Sequence, residues 1–289
     1  MTGIDGFTDS YDPSEKSARA ELLRANPNFS LTVGDLCDIP LESALTEAEV
    51  VFHLAGRAGV RASFESEWRY QHDNIDATHR LLEACARASS VRRLVYASSS
   101  SVYGNGPRPF REIGDVAPIS PYGRTKLIAE RECLGAAGPD LETVALRYFT
   151  VYGPGQRPDM GLRLFAEAAL DGRPILLFGD GTQSRDFTFV DDIARATILA
   201  ADAPVSGLAV NVGGGATITL LEVFDLLRGF VGPLQIEAQP VARGDVSHTE
   251  ADHTRAREIL GFQAEVSFEE GYRRQVETLR ERRMSTGAV

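Results

Sequence analysis

Tyr122 and Lys126 stand four residues apart in the run Pro121-Tyr122-Gly123-Arg124-Thr125-Lys126, a spacing that puts both side chains on one face of a helix. Lysine is scarce in this chain: of 30 basic residues only Lys16 and Lys126 are lysine, and the rest are arginine. An ammonium at 126 therefore points to work that a guanidinium does poorly, such as acting as a compact point charge or fitting beside a ribose hydroxyl. A cation one turn from a phenol favours the phenolate, and is expected to lower a tyrosine pKa from about 10 toward the range of a general acid/base. Upstream, the apolar run ending in Tyr96-Ala97 leads into Ser98-Ser99-Ser100-Ser101, and Ser99 precedes Tyr122 by 23 residues. Taken singly, the tyrosine and lysine also suit an exposed surface, and the serines an ordinary loop. Their combination with His53-Leu54-Ala55-Gly56, at the end of an earlier apolar run, is much harder to obtain by accident.

The elements that must position these groups can be read from periodicity. Short β-branched or apolar runs at 29–33, 50–54, 93–97 and 144–149 read as buried strands, and 70–88 and 122–136 as helices between them. That alternation predicts a doubly wound α/β fold around a parallel sheet, whose ligands bind at the carboxyl ends of the strands. The second half is less regular. It reads as helices at 162–170, 192–201, 220–229, 254–260 and 268–283 with strands at 175–178 and 208–212, a smaller α+β portion.

Composition narrows the partners. A net charge of -11 over 289 residues repels phosphate backbones and anionic lipid, which argues against nucleic-acid or membrane binding. Cys37, Cys85 and Cys133 are odd in number and widely spaced, without metal-ligand spacing, so the reading is no metal site, core thiols and a cytoplasmic setting.

With these motifs in place the chain resembles the extended short-chain dehydrogenase/reductases, in their NAD-dependent nucleotide-sugar epimerase/dehydratase branch. The matching pieces include Gly34-Asp35-Leu36, His53-Leu54-Ala55-Gly56, Asn74, the run from Ser98 to Gly104, Tyr122 with Lys126, Leu146-Arg147-Tyr148-Phe149, Arg185-Asp186-Phe187 and Gly244-Asp245. The resemblance implies a Rossmann-like fold with NAD as cofactor. Residues 1–152 would form the dinucleotide-binding portion, with 179–212 largely returning to it, and 153–178 and 213–289 mainly the nucleotide-sugar-binding portion. It makes Tyr122 the acid/base, with Ser99 its hydroxyl partner and Ser101 a second, and gives Lys126 the nicotinamide ribose. Asp5 would take the adenosine ribose and Asp35 and Leu36 the adenine. Leu54, Ala55, Gly56 and Asn74 would line the cofactor, and Tyr148 would back the nicotinamide. The glycine-rich turn that usually precedes the acidic residue by about 20 positions is not visible ahead of Asp5.

Phe149-Thr150-Val151-Tyr152-Gly153-Pro154-Gly155-Gln156-Arg157-Pro158-Asp159-Met160 looks like the segment carried by UDP-glucuronate 4-epimerases. Arg157 offers a bidentate fork for a sugar carboxylate and Thr150 a further hydrogen bond; an arginine in such a loop is otherwise solvated. Arg61 would add positive potential. The resemblance also implies Arg185 on the diphosphate, Asp245 on the uridine ribose and Phe178 against the uracil, although Arg185-Asp186 also suits a structural pair. Dehydratases of this branch carry an Asp-Glu pair where this chain has Ser100 and Ser101. The expectation is C4 epimerisation of a UDP-sugar, most simply UDP-glucuronate, by a homodimer paired through the helices at 70–88 and 122–136. The alternatives are a UDP-glucuronate decarboxylase and a cofactor-poor nucleotide-sugar-binding protein.

Overall fold

The computed structural model describes residues 1–241 and 244–286. The chain runs β1 (Thr2–Asp5), α1 (Pro13–Arg24), β2 (Ser30–Val33), α2 (Glu42–Leu45), β3 (Val50–His53), α3 (Glu67–Gln71), α4 (Ala77–Arg87) and β4 (Arg93–Ser99). It continues with α5 (Pro121–Gly135), β5 (Glu142–Tyr148), β6 (Thr150–Tyr152), α6 (Gly161–Leu170), β7 (Ile175–Phe178), β8 (Ser184–Phe189) and α7 (Val190–Asp202). The last elements are β9 (Leu208–Val212), β10 (Thr217–Thr219), α8 (Leu220–Val231), β11 (Ile236–Gln239), α9 (Thr254–Leu260) and α10 (Phe268–Thr286).

A parallel sheet in the order β3-β4-β5-β9 forms the centre, and β1 pairs with β2, also in parallel. Strands covered on both faces need apolar residues at successive positions, which is why β4 and the middle of β5 are buried without alternation. Leu94, Tyr96 and Ala145 pack with Leu81 and Cys85 of α4 and Ala129 and Cys133 of α5. On the other face Val95, Val144 and Leu146 pack with Ile193 and Ala196 of α7 and Ala256 and Leu260 of α9. The sheet is thus wound on both sides, as the alternation of runs requires. A second core gathers α6, α8 and α10 around β7 and β8.

The structure also departs from the expectation in several places. The helix expected at 70–88 begins at Glu67 and passes through a π turn at His72–Asp76 before continuing as α4. β8 does not join the central sheet but lies between β6 and β10, and α9 packs against the central sheet rather than in the second core.

A buried polar network fixes α5 on the sheet. Arg147 donates from Nε and Nη2 to Glu130 at 3.0 and 2.7 Å, and from Nη1 to Tyr103 Oη at 2.8 Å. Ser98 Oγ donates to Glu130 at 2.5 Å, and Tyr103 Oη donates to Asn211 Oδ1 at 2.6 Å. One carboxylate on α5 is thereby tied to β4, β5 and, through Tyr103, β9. Such a network contributes uniqueness of register more than net stability, and it sets Lys126 and Tyr122, one and two turns earlier, at the strand ends.

Candidate active site

The acid/base pair forms where β4 ends. Ser99, the last residue of β4, accepts the Ser101 amide on its hydroxyl oxygen at 3.1 Å, leaving its proton free to be donated. Its hydroxyl lies close enough to the Tyr122 phenol to lower that group's pKa. Ser120 caps α5 by accepting from the Gly123 amide at 3.1 Å, with Pro121 in the first turn. Gly123 is required by proximity, because a Cβ there would lie 2.6 Å from the Ser101 carbonyl oxygen. The serine turn and the helix start therefore meet backbone to backbone, which brings Ser99, Ser101 and Tyr122 together.

Burial raises the Tyr122 phenol above its ordinary value; the Ser99 hydroxyl and the positive charge of Arg157 pull it down without overcoming that effect. The spacing argument for Lys126 as the charge that lowers Tyr122 is therefore corrected. The Lys126 ammonium lies over the face of Tyr96, 4.4 Å from the ring centroid, and the cation acting on Tyr122 is Arg157. Lys126 is 6% exposed, and burial pulls its pKa down to about 8 against the opposing influence of Cys133 and Glu130. Among the described residues no hydrogen-bond acceptor meets this ammonium. A buried cation without an acceptor is what a cofactor's ribose hydroxyls would complete, so the donor set fits NAD at this end.

The loop after β3 supplies the wall of the cofactor site. Leu54, Ala55 and Gly56 are exposed at the strand's carboxyl end. Asn74, placed by the π turn, holds that loop: its Oδ1 accepts the Arg57 amide at 2.7 Å, and its Nδ2 donates to the Arg57 carbonyl at 3.1 Å and to Thr125 Oγ1 at 2.9 Å. Gly56 has φ +150°, and a Cβ there would stand 2.7 Å from Asn74 Oδ1. The buried Asn74 carboxamide is committed to the protein, so its part is to hold the cofactor loop against α5. Asp5 and Asp35 stand at the ends of β1 and β2, where their side chains accept the amides of Phe7 at 2.7 Å and Cys37 at 2.8 Å. The Leu36 side chain belongs to the core with Leu41 and Leu81, so a contact with adenine would be made by its main chain. Tyr148 donates its hydroxyl to Thr197 of α7 at 2.6 Å and is packed on the α7 face of the sheet.

On the substrate side, Arg157 donates from Nε and Nη2 to the Asp159 carboxylate at 3.0 and 2.7 Å and from Nη1 to the Ala58 carbonyl at 3.2 Å. Thr150, at the start of β6, pairs opposite Phe187 of β8. A second group forms around the strand ends of β7 and β8. Arg61 stacks on Phe178 with its guanidinium carbon 4.3 Å from the ring centroid and donates to Asp245 at 2.7 Å. Arg185 donates to the Ser184 and Ser247 carbonyls at 2.9 and 3.2 Å, and burial lowers its pKa, opposed by Asp245 and reinforced by Arg61. The structure thus brings Arg61, Phe178, Arg185 and Asp245 together, and it moves Arg61 from the expected carboxylate end into this group.

Three features had no counterpart in the reading of the sequence. Tyr70 lies edge-on to Tyr122, with centroids 6.2 Å apart. Asp159 fills one fork of Arg157. Asp35, Cys37 and His72 bring ligand atoms within 4.8 Å of one another, a grouping that could hold a metal ion. Asp159, two residues from Arg157, and Cys37, two residues from Asp35, left a local signal; Tyr70 and His72 come from distant segments.

A parallel sheet wound on both faces, with a tyrosine, serine and lysine at its strand ends, defines a dinucleotide-dependent enzyme of the short-chain dehydrogenase/reductase type. Residues 5–213 match the NAD dependent epimerase/dehydratase family, and the chain belongs to that family. It is 39% identical over 285 residues to a UDP-glucuronate 4-epimerase of Thermodesulfobacterium geofontis, covering 96% of this chain and 87% of that protein. It is 37% identical over 276 residues to a UDP-glucose 4-epimerase of Mycolicibacterium smegmatis, covering 91% and 88%. The crystal structure of UDP-glucuronic acid 4-epimerase from Bacillus cereus in complex with UDP-glucuronic acid and NAD superposes with a TM-score of 0.93 at 33% identity, covering 97% of this chain and 90% of that one. No helix among the described residues is long and apolar enough to cross a membrane.

Proposed function

We propose that this chain is an NAD-dependent epimerase that inverts C4 of UDP-glucuronate. The observation that carries the reading is that Arg157, a guanidinium suited to a carboxylate, meets the Ala58 carbonyl that also receives Tyr70, whose ring lies edge-on to the Tyr122 phenol, so that its charge acts on that phenol beside Ser99. Tyr122, as a phenolate to which Ser99 donates, takes the proton of the 4-hydroxyl and becomes the neutral phenol, and it returns that proton after the sugar ring has turned over. NAD bound against Lys126 would supply the hydride acceptor for C4 and, once reduced, the hydride donor. Lys126 holds the nicotinamide ribose, and the loop Leu54-Ala55-Gly56 lies against the cofactor. Arg157, with Thr150, holds the sugar carboxylate away from alignment with the transient 4-ketone, which suppresses loss of carbon dioxide. Arg61, Phe178, Arg185 and Asp245 hold the uridine diphosphate.

Incubation of the protein with UDP-glucuronate and NAD, followed by proton NMR, tests this. The expected product is UDP-galacturonate, and Arg157→Met should lose most of the preference for glucuronate over glucose. Formation of UDP-pentose with carbon dioxide would identify a decarboxylase, and binding of the nucleotide sugar without turnover a binding protein. The same reading includes a homodimer through the helices at 67–87 and α5, whose outer faces expose Trp68 (69%) and Ile128 (43%). It also includes a cytoplasmic setting, supported by three free thiols.

A further inference from the structure

Resting on that reading, we propose that Tyr70 is a positioning residue that sets Arg157 relative to Tyr122, and so couples recognition of the substrate carboxylate to the acid/base. Tyr70 is 2% exposed. Its ring stands at 71° to that of Tyr122, and its single hydroxyl proton is shared between the carbonyls of Gly59 at 2.9 Å and Ala58 at 3.2 Å. The Ala58 carbonyl is also the acceptor for Arg157 Nη1. One carbonyl oxygen therefore receives the phenol that touches the acid/base and the guanidinium that meets the substrate. Gly59 has φ +118°, so glycine permits the backbone turn that presents these two carbonyls side by side.

Counting donors shows what this arrangement leaves available. A guanidinium has five N–H groups. Two bonds to Asp159 and one to Ala58 hold the plane of Arg157 from two sides. The remaining two N–H groups are the number that one carboxylate takes in a bidentate pair. Asp159 and Ala58 orient Arg157, and Tyr70 fixes Ala58 from the side of Tyr122. Burial raises the Tyr70 phenol above its ordinary value, so it stays a donor throughout the neutral range.

The test is equilibrium titration of the NAD-loaded protein with UDP-glucuronate and, separately, with UDP-glucose. Tyr70→Phe keeps the ring against Tyr122 and removes only the hydroxyl. It should weaken UDP-glucuronate binding about fivefold, the worth of one shared hydrogen bond, and leave UDP-glucose unchanged. Combined with Arg157→Met it should add nothing further. Asp159→Asn, at a side chain 45% exposed where folding is not at stake, should give the same selective loss. Equal weakening of both sugars by Tyr70→Phe, no weakening of either, additive effects in the double variant, or tighter glucuronate binding by Asp159→Asn would each overturn the proposal. A wild type without preference for UDP-glucuronate would instead overturn the functional reading on which it rests, and the two failures are read from different proteins.

Discussion

Replacing Asn74 by alanine removes three hydrogen bonds at once: those to the amide and carbonyl of Arg57 and that to Thr125 Oγ1. Each is worth about 1 kcal/mol net. The Arg57 backbone groups lie next to exposed Gly56 and regain part of their loss from water. The balance is about 2–3 kcal/mol. At about 2–4 °C per kcal/mol for a large domain, the melting temperature should fall by about 5–10 °C. Because the bonds that vanish are those pinning the loop Leu54-Ala55-Gly56 to α5, NAD affinity should fall as well, by about tenfold for each 1.4 kcal/mol spent on reordering that loop. Thr125→Val keeps both bonds to Arg57 and should show about a third of the stability loss with a smaller effect on NAD. Differential scanning calorimetry and a fluorescence titration with NAD measure the two quantities. Asn74→Ala melting within 1 °C of wild type would falsify the clamp. A lower melting temperature with unchanged NAD affinity would show that Asn74 supports the helix and not the loop.

Two further outcomes follow from the buried charges. Burial holds folded Lys126 near pH 8 against an ordinary 10.5, so its charge opposes folding below pH 8 and that opposition fades as pH rises from about 8 to 10.5. The melting temperature of wild type minus that of Lys126→Met should therefore climb across this window, and a flat or falling difference contradicts the assignment. Arg147→Met strands the buried Glu130 carboxylate and should cost about 3–5 kcal/mol in urea denaturation, whereas Glu130→Leu with Arg147→Met should recover most of it.

The parts of the site that lie in one stretch of chain were legible from sequence. The Tyr122–Lys126 spacing, the serine run closing an apolar strand and the Gly-Pro-rich segment with Arg157 each combine a local pattern with a local chemical type. The central strands were legible for the same reason, since their apolar runs are continuous. What spacing could not reveal was direction and burial: Lys126 shares a helix face with Tyr122, yet it turns onto Tyr96, and desolvation outweighs every charge acting on the phenol. Asn74 was identified as a cofactor residue, but its three partners come from residues 17 and 51 positions away, so its role as a clamp was visible only in three dimensions. The sheet of β6, β8 and β10 escaped because β6 and β10 are only three residues long and the partners come from distant segments.

The poverty of lysine gives the molecule an unusual chemical simplicity. Its side-chain amines number two. One, Lys16, is half-buried, donating to the Thr8 carbonyl at 2.7 Å, and the other is the crevice ammonium of Lys126. An acylating reagent at pH 8 meets Lys126 near its midpoint of protonation but shielded from solvent, so its acylation rate reports how often the crevice opens rather than how basic the amine is. Mass spectrometry of a single tryptic region then becomes a clock for access to the acid/base, and a bound cofactor resting on that ammonium would stop it.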